Sequence, residues 1–167
     1  IVIPVYKGLA ATQRCLNAVL ADSDRLPGRI LVIDDASPEP ALSAWLDTIA
    51  ATGRIVLLRH ARNLGFVAAA NRGMREAGTN DVVLLNSDTE VPAGWLPRLA
   101  AHAHSQHDTA TVSPLSDTTT IQGGPLAATV APVRIDAICR AVNARRSVNV
   151  SVTNGHCVYF RRTALQA

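Results

Sequence analysis

The amino-acid sequence predicts an α/β fold, in which a mostly parallel sheet is covered by helices on both faces. Short apolar runs alternate with amphipathic stretches along most of the 167 residues. This alternation is typical of parallel crossover units, and a chain of this length fits one ordinary domain. The first four runs are continuously apolar, as strands that are covered on both faces are.

Strands are predicted from short runs rich in β-branched and aliphatic residues, with turn-forming residues at their ends. In chain order these runs are residues 1–5, 30–33, 55–58, 82–85, 111–113, 148–152 and 157–160. Asn154 and Gly155 separate the last two runs, and this pair is a hairpin-like turn signal. The sequence therefore predicts a hairpin near the end of the chain.

Helices are predicted between the strands, from apolar residues at helical spacing. They cover residues 9–21, 40–52, 66–77, 95–104 and 135–143. Pro40 suits a first helical turn, and Asn63 is a candidate cap for the third helix. The segment from 114 to 132 is rich in Ser, Thr, Gly and Pro, and is predicted to be a long loop.

Composition excludes several classes of protein. Hydrophobic residues make up 48% of the chain and aromatic residues only 4%, so the core must be aliphatic. The aliphatic runs are much shorter than the roughly 20 residues that a membrane-spanning helix needs. The net charge of +3 is scattered instead of forming a basic stripe, which argues against nucleic acid as a partner.

The cysteines and histidines predict neither disulfides nor a zinc site. The three cysteines are odd in number and far apart, which favours free thiols in a reducing, cytoplasmic compartment. Cys15 and Cys157 have apolar neighbours in the sequence and are expected in the core. His102, His104 and His107 would spread around a helix, so we interpret them as solvated side chains.

Ligands of open α/β sheets bind outside the carboxyl ends of the strands. After the first strand, Gly8 stands alone where a dinucleotide-binding domain has three glycines, so a hydride-transfer enzyme is not expected. Asp34 and Asp35 end the second strand, and Asp88 lies just beyond the fourth. Such carboxylates can accept hydrogen bonds from a nucleobase or ribose, or bind a divalent cation that holds a diphosphate. Alternatively, each acid caps its own turn.

Five segments in this order resemble family 2 glycosyltransferases with the GT-A fold, in the rhamnosyltransferase-like branch. The segments are Ile1-Val-Ile-Pro-Val-Tyr6, Val32-Ile-Asp-Asp-Ala-Ser37, Asn63-Leu-Gly-Phe-Val-Ala-Ala-Ala-Asn-Arg-Gly73, Leu84-Leu-Asn-Ser-Asp-Thr-Glu-Val-Pro92 and Asn154-Gly-His-Cys-Val-Tyr-Phe-Arg-Arg162. Each is weak alone, but the set covers essentially the whole chain. The resemblance implies a Rossmann-like, three-layer α/β/α domain of the GT-A type that binds a nucleotide-sugar donor.

The resemblance also implies where the nucleotide binds. Pro4 and Tyr6, with Val5 between them, would shape the base pocket. Asp35 would pair with the nucleobase, most often uracil or thymine. The remaining matches to the loop and helix that border the nucleotide are Asn63, Gly65 and Asn71.

The family's DxD motif corresponds here to Asn86, Ser87 and Asp88. The resemblance implies that Asp88 coordinates a divalent cation, Mg²⁺ or Mn²⁺, and that Ser87 lies near the ribose or diphosphate. Asn86 replaces an acid, so the site carries less negative charge, but its carbonyl oxygen can still coordinate the cation or bond to ribose.

No catalytic residue can be named from the sequence. An inverting transferase needs a carboxylate that deprotonates the acceptor hydroxyl, and the resemblance implies that this base lies beyond Ala167. We therefore expect residues 1–167 to be the nucleotide-sugar-binding part of a domain that continues at both ends. His156 is a candidate for contact with the substrate.

The leading hypothesis is a metal-assisted, inverting transfer of sugar from a UDP- or dTDP-sugar to a hydroxyl acceptor. The acceptor is expected to be a glycan or a lipid-linked sugar in bacterial polysaccharide or cell-envelope synthesis, at the cytoplasmic face of the inner membrane or in the cytoplasm. One alternative is a nucleotide- or sugar-binding module without turnover. Another is a sugar-nucleotide pyrophosphorylase-like enzyme, for which the turn at Val5, Tyr6 and Lys7 lacks the expected glycines.

Overall fold

The computed structural model describes residues 1–22, 28–116, 132–143, 146–153 and 155–166. Its strands are β1 (Val2–Val5), β2 (Leu31–Asp34), β3 (Val56–Arg59), β4 (Val82–Leu85), β5 (Thr111–Val112) and β6 (Cys157–Phe160). Its helices are α1 (Leu9–Ala21), α2 (Pro40–Ala51), α3 (Phe66–Glu76), α4 (Trp95–Ala103), α5 (Pro132–Asn143) and α6 (Arg162–Leu165). The predicted alternation of strands and helices is confirmed up to α4.

The six strands form one sheet in the order β3-β2-β1-β4-β6-β5. Strands β1 to β4 are parallel, and β6 runs antiparallel to both β4 and β5. The sheet is therefore mostly parallel, as predicted. The carboxyl ends of β1, β2 and β4 lie at one edge, which fixes the position of any ligand site.

Helices cover the sheet on both faces, which confirms the predicted three layers. Alternate residues of β1 point to opposite sides, as in any strand. Ile3 packs in a cluster with side chains of α1, α2 and α4. Val2 packs in the other cluster, against α3. Gly73 allows this second contact, because a Cβ atom there would lie 2.2 Å from Val2 Cγ1.

The end of the described chain differs from the prediction. Residues 148–152 form no strand, and Val148 is 83% exposed. Strand β6 pairs with β4 and β5, so the predicted hairpin partner is wrong. Helix α5 begins at Pro132, three residues before the predicted start. Asn154 and most of the predicted loop at 114–132 lie outside the described residues.

Cys15 and Cys157 are buried free thiols, as predicted. Burial raises the pKa of each thiol to about 12, which keeps both protonated and unreactive at neutral pH. In the described part of the chain, the helices are too short or too polar to cross a membrane.

Candidate active site

A cavity of about 530 Å³ opens where β1, β2 and β4 end. It is lined by nine of the ten residues that the sequence analysis selected for nucleotide-sugar binding. These are Pro4, Val5, Tyr6, Asp35, Asn63, Gly65, Asn86, Ser87 and Asp88. The cavity is also lined by Lys7, Phe66, Ala69 and Gly155, which were not predicted from the sequence. His156 lines it as well, and was predicted only as a candidate for contact with the substrate.

Asn71 is not among the described residues that line the cavity, and its side chain is exposed. The reason is the period of helix α3. Phe66 and Ala69 are three residues apart and therefore share the face that borders the cavity. Asn71 is five residues from Phe66, about 140° away around a helix of 3.6 residues per turn.

Asp35 is the most buried polar group of the cavity, with an exposed fraction of 3%. Its Oδ1 accepts hydrogen bonds from the Leu64 N–H, at 2.9 Å, and from the His60 ring, whose Nδ1 lies 2.6 Å away. Its Oδ2 accepts the Gly65 N–H at 2.7 Å. Burial by itself raises the pKa of Asp35, but the hydrogen bonds from His60, Leu64 and Gly65 outweigh it and hold the pKa below its usual range. The carboxylate is therefore ionised at neutral pH, and it fixes the chain that follows β3.

His60 was missed by the sequence analysis. It is the first residue after β3, and its amide donates to the Asp34 carbonyl at 2.9 Å. The register of β2 with β3 places Asp34 opposite Arg59, so the residues that follow them, Asp35 and His60, also lie opposite each other. The sequence alone does not show this contact, because it follows only from the register of the two strands.

The two adjacent acids, Asp34 and Asp35, have different roles because successive residues of an extended chain point to opposite sides. Asp34 Oδ1 accepts the Ser37 N–H at 2.8 Å, and Oδ2 accepts from Arg59 Nε at 3.0 Å. Asp34 therefore caps its own turn and pairs with β3. Only Asp35 lines the cavity.

The turn from Asn86 to Asp88 is held by His156, the residue that precedes β6. The backbone N–H of Asn86 donates to the His156 carbonyl at 2.9 Å, and the Thr89 hydroxyl donates to the same carbonyl at 3.3 Å. The backbone N–H of Thr89 donates to the backbone carbonyl of Asn86 at 3.1 Å and closes the turn. These bonds fix the turn and His156 relative to each other.

Two oxygen-bearing side chains of this turn could take part in binding a cation. Asp88 is exposed, while Asn86 Oδ1 is buried and accepts no hydrogen bond from the part of the chain that the structure describes. Within the same ranges, no three His, Cys, Asp or Glu side chains gather closely enough to hold a metal ion. Oxygen atoms of a bound ligand would have to complete the coordination, as substrate phosphates do in many Mg²⁺ sites.

The start of helix α1 is occupied by a carboxylate of the chain itself. Glu39 Oε1 accepts the Gly8 N–H at 3.0 Å, and Oε2 accepts the Leu9 N–H at 3.1 Å. In dinucleotide-binding domains a pyrophosphate occupies the corresponding position. The occupied helix start agrees with the expectation, drawn from the single glycine after β1, that this is not a dinucleotide-binding domain.

A second, larger cavity of about 1420 Å³ adjoins the first. Residues of α4, β5 and α5 line it, and three residues line both cavities: Asn86, Asp88 and His156. Two acids of the larger cavity are paired, since Asp136 accepts from Arg98 at 2.7 Å and Glu90 from Arg14 at 2.8 Å. Among the described residues, Asn86, Asp88 and His156 lie between the two cavities, so molecules bound in the two cavities would be neighbours.

The model of the family described as "Glycosyl transferase family 2" matches residues 1–167. The chain belongs to this family. The family assignment expected from the five segments is thus confirmed, while the rhamnosyltransferase-like branch stays a prediction.

The chain is similar to several curated glycosyltransferases over part of its length. It is 31% identical over 102 residues to the pre-mycofactocin glycosyltransferase of Mycobacterium tuberculosis, covering 61% of this chain and 20% of that protein. It is 32% identical over 111 residues to the undecaprenyl-phosphate 4-deoxy-4-formamido-L-arabinose transferase of Aeromonas hydrophila, covering 65% and 34%. The chain thus spans between a fifth and about a third of the length of these relatives.

Solved structures of glycosyltransferases share the fold. The mannosyltransferase PcManGT of Pyrobaculum calidifontis, in complex with GDP-Man and Mn²⁺, has a TM-score of 0.65 at 19% identity, covering 99% of this chain and 44% of that one. GalNAc-T7 with UDP, GalNAc and Mn²⁺ has a TM-score of 0.51 at 26% identity, covering 61% and 20%. The GT-A class predicted for the fold is confirmed.

Proposed function

We propose that this chain is the donor-binding part of a metal-assisted glycosyltransferase, which passes a sugar from a UDP- or dTDP-sugar to a hydroxyl acceptor with inversion. The observation that carries the proposal is the cavity in which Asp35 and the turn from Asn86 to Asp88 converge. Family membership supports a transferase, and the UDP and Mn²⁺ bound to GalNAc-T7 support the class of donor and cation.

Asp35 is proposed to read the nucleobase through its remaining acceptor position. An ionised carboxylate has about four lone-pair sites and cannot donate a hydrogen bond. In the described chain, Oδ1 accepts two hydrogen bonds and Oδ2 one, which leaves a single position on Oδ2. Uracil and thymine each present one ring N–H, which matches this single acceptor. Guanine presents a ring N–H beside an amino group, and one position cannot accept from both.

Asp88 is proposed to hold the cation, with Asn86 Oδ1 as a further oxygen ligand. Carboxylate, amide and phosphate oxygens are the ligands that Mg²⁺ prefers, and Mn²⁺ accepts the same set. A divalent cation, when bound, offsets the negative charge that develops on the diphosphate leaving group. Ser87 lines the same cavity and can donate its hydroxyl to the ribose or the diphosphate.

The larger cavity is proposed to receive the acceptor, because Asn86, Asp88 and His156 separate it from the donor cavity. A glycan or lipid-linked sugar of bacterial polysaccharide or cell-envelope synthesis fits this proposal, and two named relatives are bacterial glycosyltransferases. Inversion requires a general base near the acceptor hydroxyl. We assign no residue of this chain to that role, and both the base and the cytoplasmic location stay predictions.

Titration calorimetry with UDP, dTDP and GDP, each with and without Mn²⁺, tests the proposal. Wild-type protein should bind UDP or dTDP more tightly than GDP, and Mn²⁺ should strengthen the binding. Asp88→Ala should abolish the effect of Mn²⁺. Glu90→Ala is the matched control, because this exposed carboxylate stands two residues away and does not line the donor cavity.

Folded wild-type protein that binds none of the three nucleotides would refute the proposal. A binding module without turnover would bind the nucleotides in the same way. The replacement of an acid by Asn86 favours this second function, because it lowers the charge at the cation site. Sugar transfer by the full-length protein, measured with a panel of UDP- and dTDP-sugars, separates the two.

A further inference from the structure

Two aromatic side chains are exposed at the donor cavity of a chain that has few aromatic residues. The sequence contains two Phe, two Tyr and two Trp residues. Trp95 and Tyr159 are buried in the core. Phe66 is 51% exposed and Tyr6 38% exposed, and both line the donor cavity. Tyr6 was expected there from the sequence, whereas Phe66 has no role in the function described so far.

The position of Phe66 is fixed by Asp35. Phe66 is the first residue of α3, and the amides of the two residues before it both donate to the Asp35 carboxylate. The Gly65 amide also donates to Asn63 Oδ1 at 2.9 Å. The backbone that carries the ring is therefore anchored to the carboxylate before any ligand binds. Little backbone freedom remains to be lost when a ligand meets the ring.

We propose that Phe66 contacts the nucleobase of the donor and provides an aromatic face for it. This inference rests on the proposed function, since it takes Asp35 as the group that reads the base. A nucleobase has a flat π surface, and stacking on an aromatic side chain tolerates any base. Asp35 then selects the base by its N–H, while Phe66 contributes affinity that does not depend on the base. The diphosphate has no π surface and gains nothing from the ring.

Two further apolar side chains are exposed beside Phe66, and they provide a control. Leu64 and Val67 are exposed by 48% and 69%, but neither lines the donor cavity. If this exposed segment only packed against another protein, replacing Phe66 or Val67 would have the same effect on nucleotide affinity. If Phe66 contacts the base, only Phe66 affects nucleotide binding.

The experiment measures the affinity of wild type, Phe66→Ala, Phe66→Tyr and Val67→Ala for UDP and for inorganic diphosphate, both with Mn²⁺. Phe66→Ala should weaken UDP binding by about 5- to 150-fold, the range found when aromatic stacking partners of bases are changed to alanine. It should leave diphosphate binding unchanged. Phe66→Tyr retains the ring and should bind UDP like wild type, as should Val67→Ala. Thermal unfolding of each variant checks that the fold is retained.

The outcomes separate this inference from the function on which it rests. Wild-type protein that binds no UDP overturns the proposed function. Wild-type protein that binds UDP, together with a Phe66→Ala variant of equal affinity, overturns the role of Phe66 alone. An equal loss of UDP and diphosphate binding in Phe66→Ala also overturns it, because the ring would then act on the whole site. So does an equal loss in Val67→Ala.

Discussion

The carboxylate of Asp35 stabilises the segment after β3 and is proposed to bind the nucleobase. Its effect on the stability of the protein and its effect on nucleotide binding can be measured separately. Asp35→Asn keeps the shape of the side chain but replaces one acceptor oxygen with an NH₂ group. If Oδ1 is retained, the Gly65 amide loses its acceptor on residue 35, and if Oδ2 is retained, both donors to Oδ1 lose theirs. At least one hydrogen bond to a buried charge is lost in either case.

The expected loss of stability follows from that count. A hydrogen bond to a charged group contributes about 1.5–3 kcal/mol, and Asp35 is nearly fully buried, so solvent screens little of it. The free energy of unfolding of Asp35→Asn should fall by about this amount at pH 7. For a domain of this size each 1 kcal/mol lowers the melting temperature by about 2–4 °C. Asp88→Asn is the matched control, and this exposed substitution should stay within about 0.5 kcal/mol of wild type.

Hydrogen exchange detects the same change locally. The amide protons of Leu64 and Gly65 donate to Asp35, so both should exchange faster in Asp35→Asn than in wild type. His60→Ala removes one donor but leaves both backbone bonds and the free position on Oδ2. It should therefore weaken UDP binding less than Asp35→Asn does. If Asp35→Asn unfolds like wild type, with unchanged exchange at these two amides, the carboxylate does not support this segment and our reasoning is wrong.

Two further predictions concern stability away from the cavity. Gly73→Ala should lower the free energy of unfolding by about 1–3 kcal/mol or more, because its Cβ would overlap Val2. Chemical denaturation measures this, and Gly155→Ala, where a Cβ meets no atom within 4 Å, should have a much smaller effect. The second prediction concerns Asp81, where burial raises the pKa but hydrogen bonds from Arg162, Tyr159 and His104 outweigh it and hold the pKa below its ordinary value. The stability that a carboxylate of lowered pKa contributes is present above its unfolded pKa and is lost as the pH falls through the folded one, so it fades below about pH 5. Asp81→Asn should therefore be less stable than wild type at pH 7 but lose less stability on acidification, and equal losses would contradict the assignment.

The part of the fold that was predicted correctly is the part whose sequence pattern depends on burial alone. Strands β1, β2 and β4 are buried along their whole length, and such strands are continuously apolar whatever their neighbours are. Most of the residues that line the donor cavity could be predicted from the ends of these strands, because residues that follow parallel strands lie at one edge of the sheet. The prediction of site residues thus required the strand ends and the family resemblance, but no knowledge of side-chain contacts.

The wrong predictions concern features that depend on partners. Val148, Val150 and Val152 alternate with polar residues and have high β propensity, yet they form no strand. Propensity of this kind requires a neighbouring strand, and β6 already pairs with β4 and β5 on its two sides. Asn63 was predicted as a helix cap on residue type, but Gly65 holds the cap position and Asn63 accepts the Gly65 amide instead.

The position of Glu39 gives a physical reason for a cation in the proposed function. In dinucleotide-binding domains, the amides at the start of the first helix neutralise part of a pyrophosphate charge. Here Glu39 accepts hydrogen bonds from the Gly8 and Leu9 amides, so these N–H groups are not free to neutralise a diphosphate. Among the described residues that line the donor cavity, Lys7 is the one Lys or Arg side chain. One lysine cannot balance a diphosphate, and the proposed cation at Asp88 would provide the remaining positive charge.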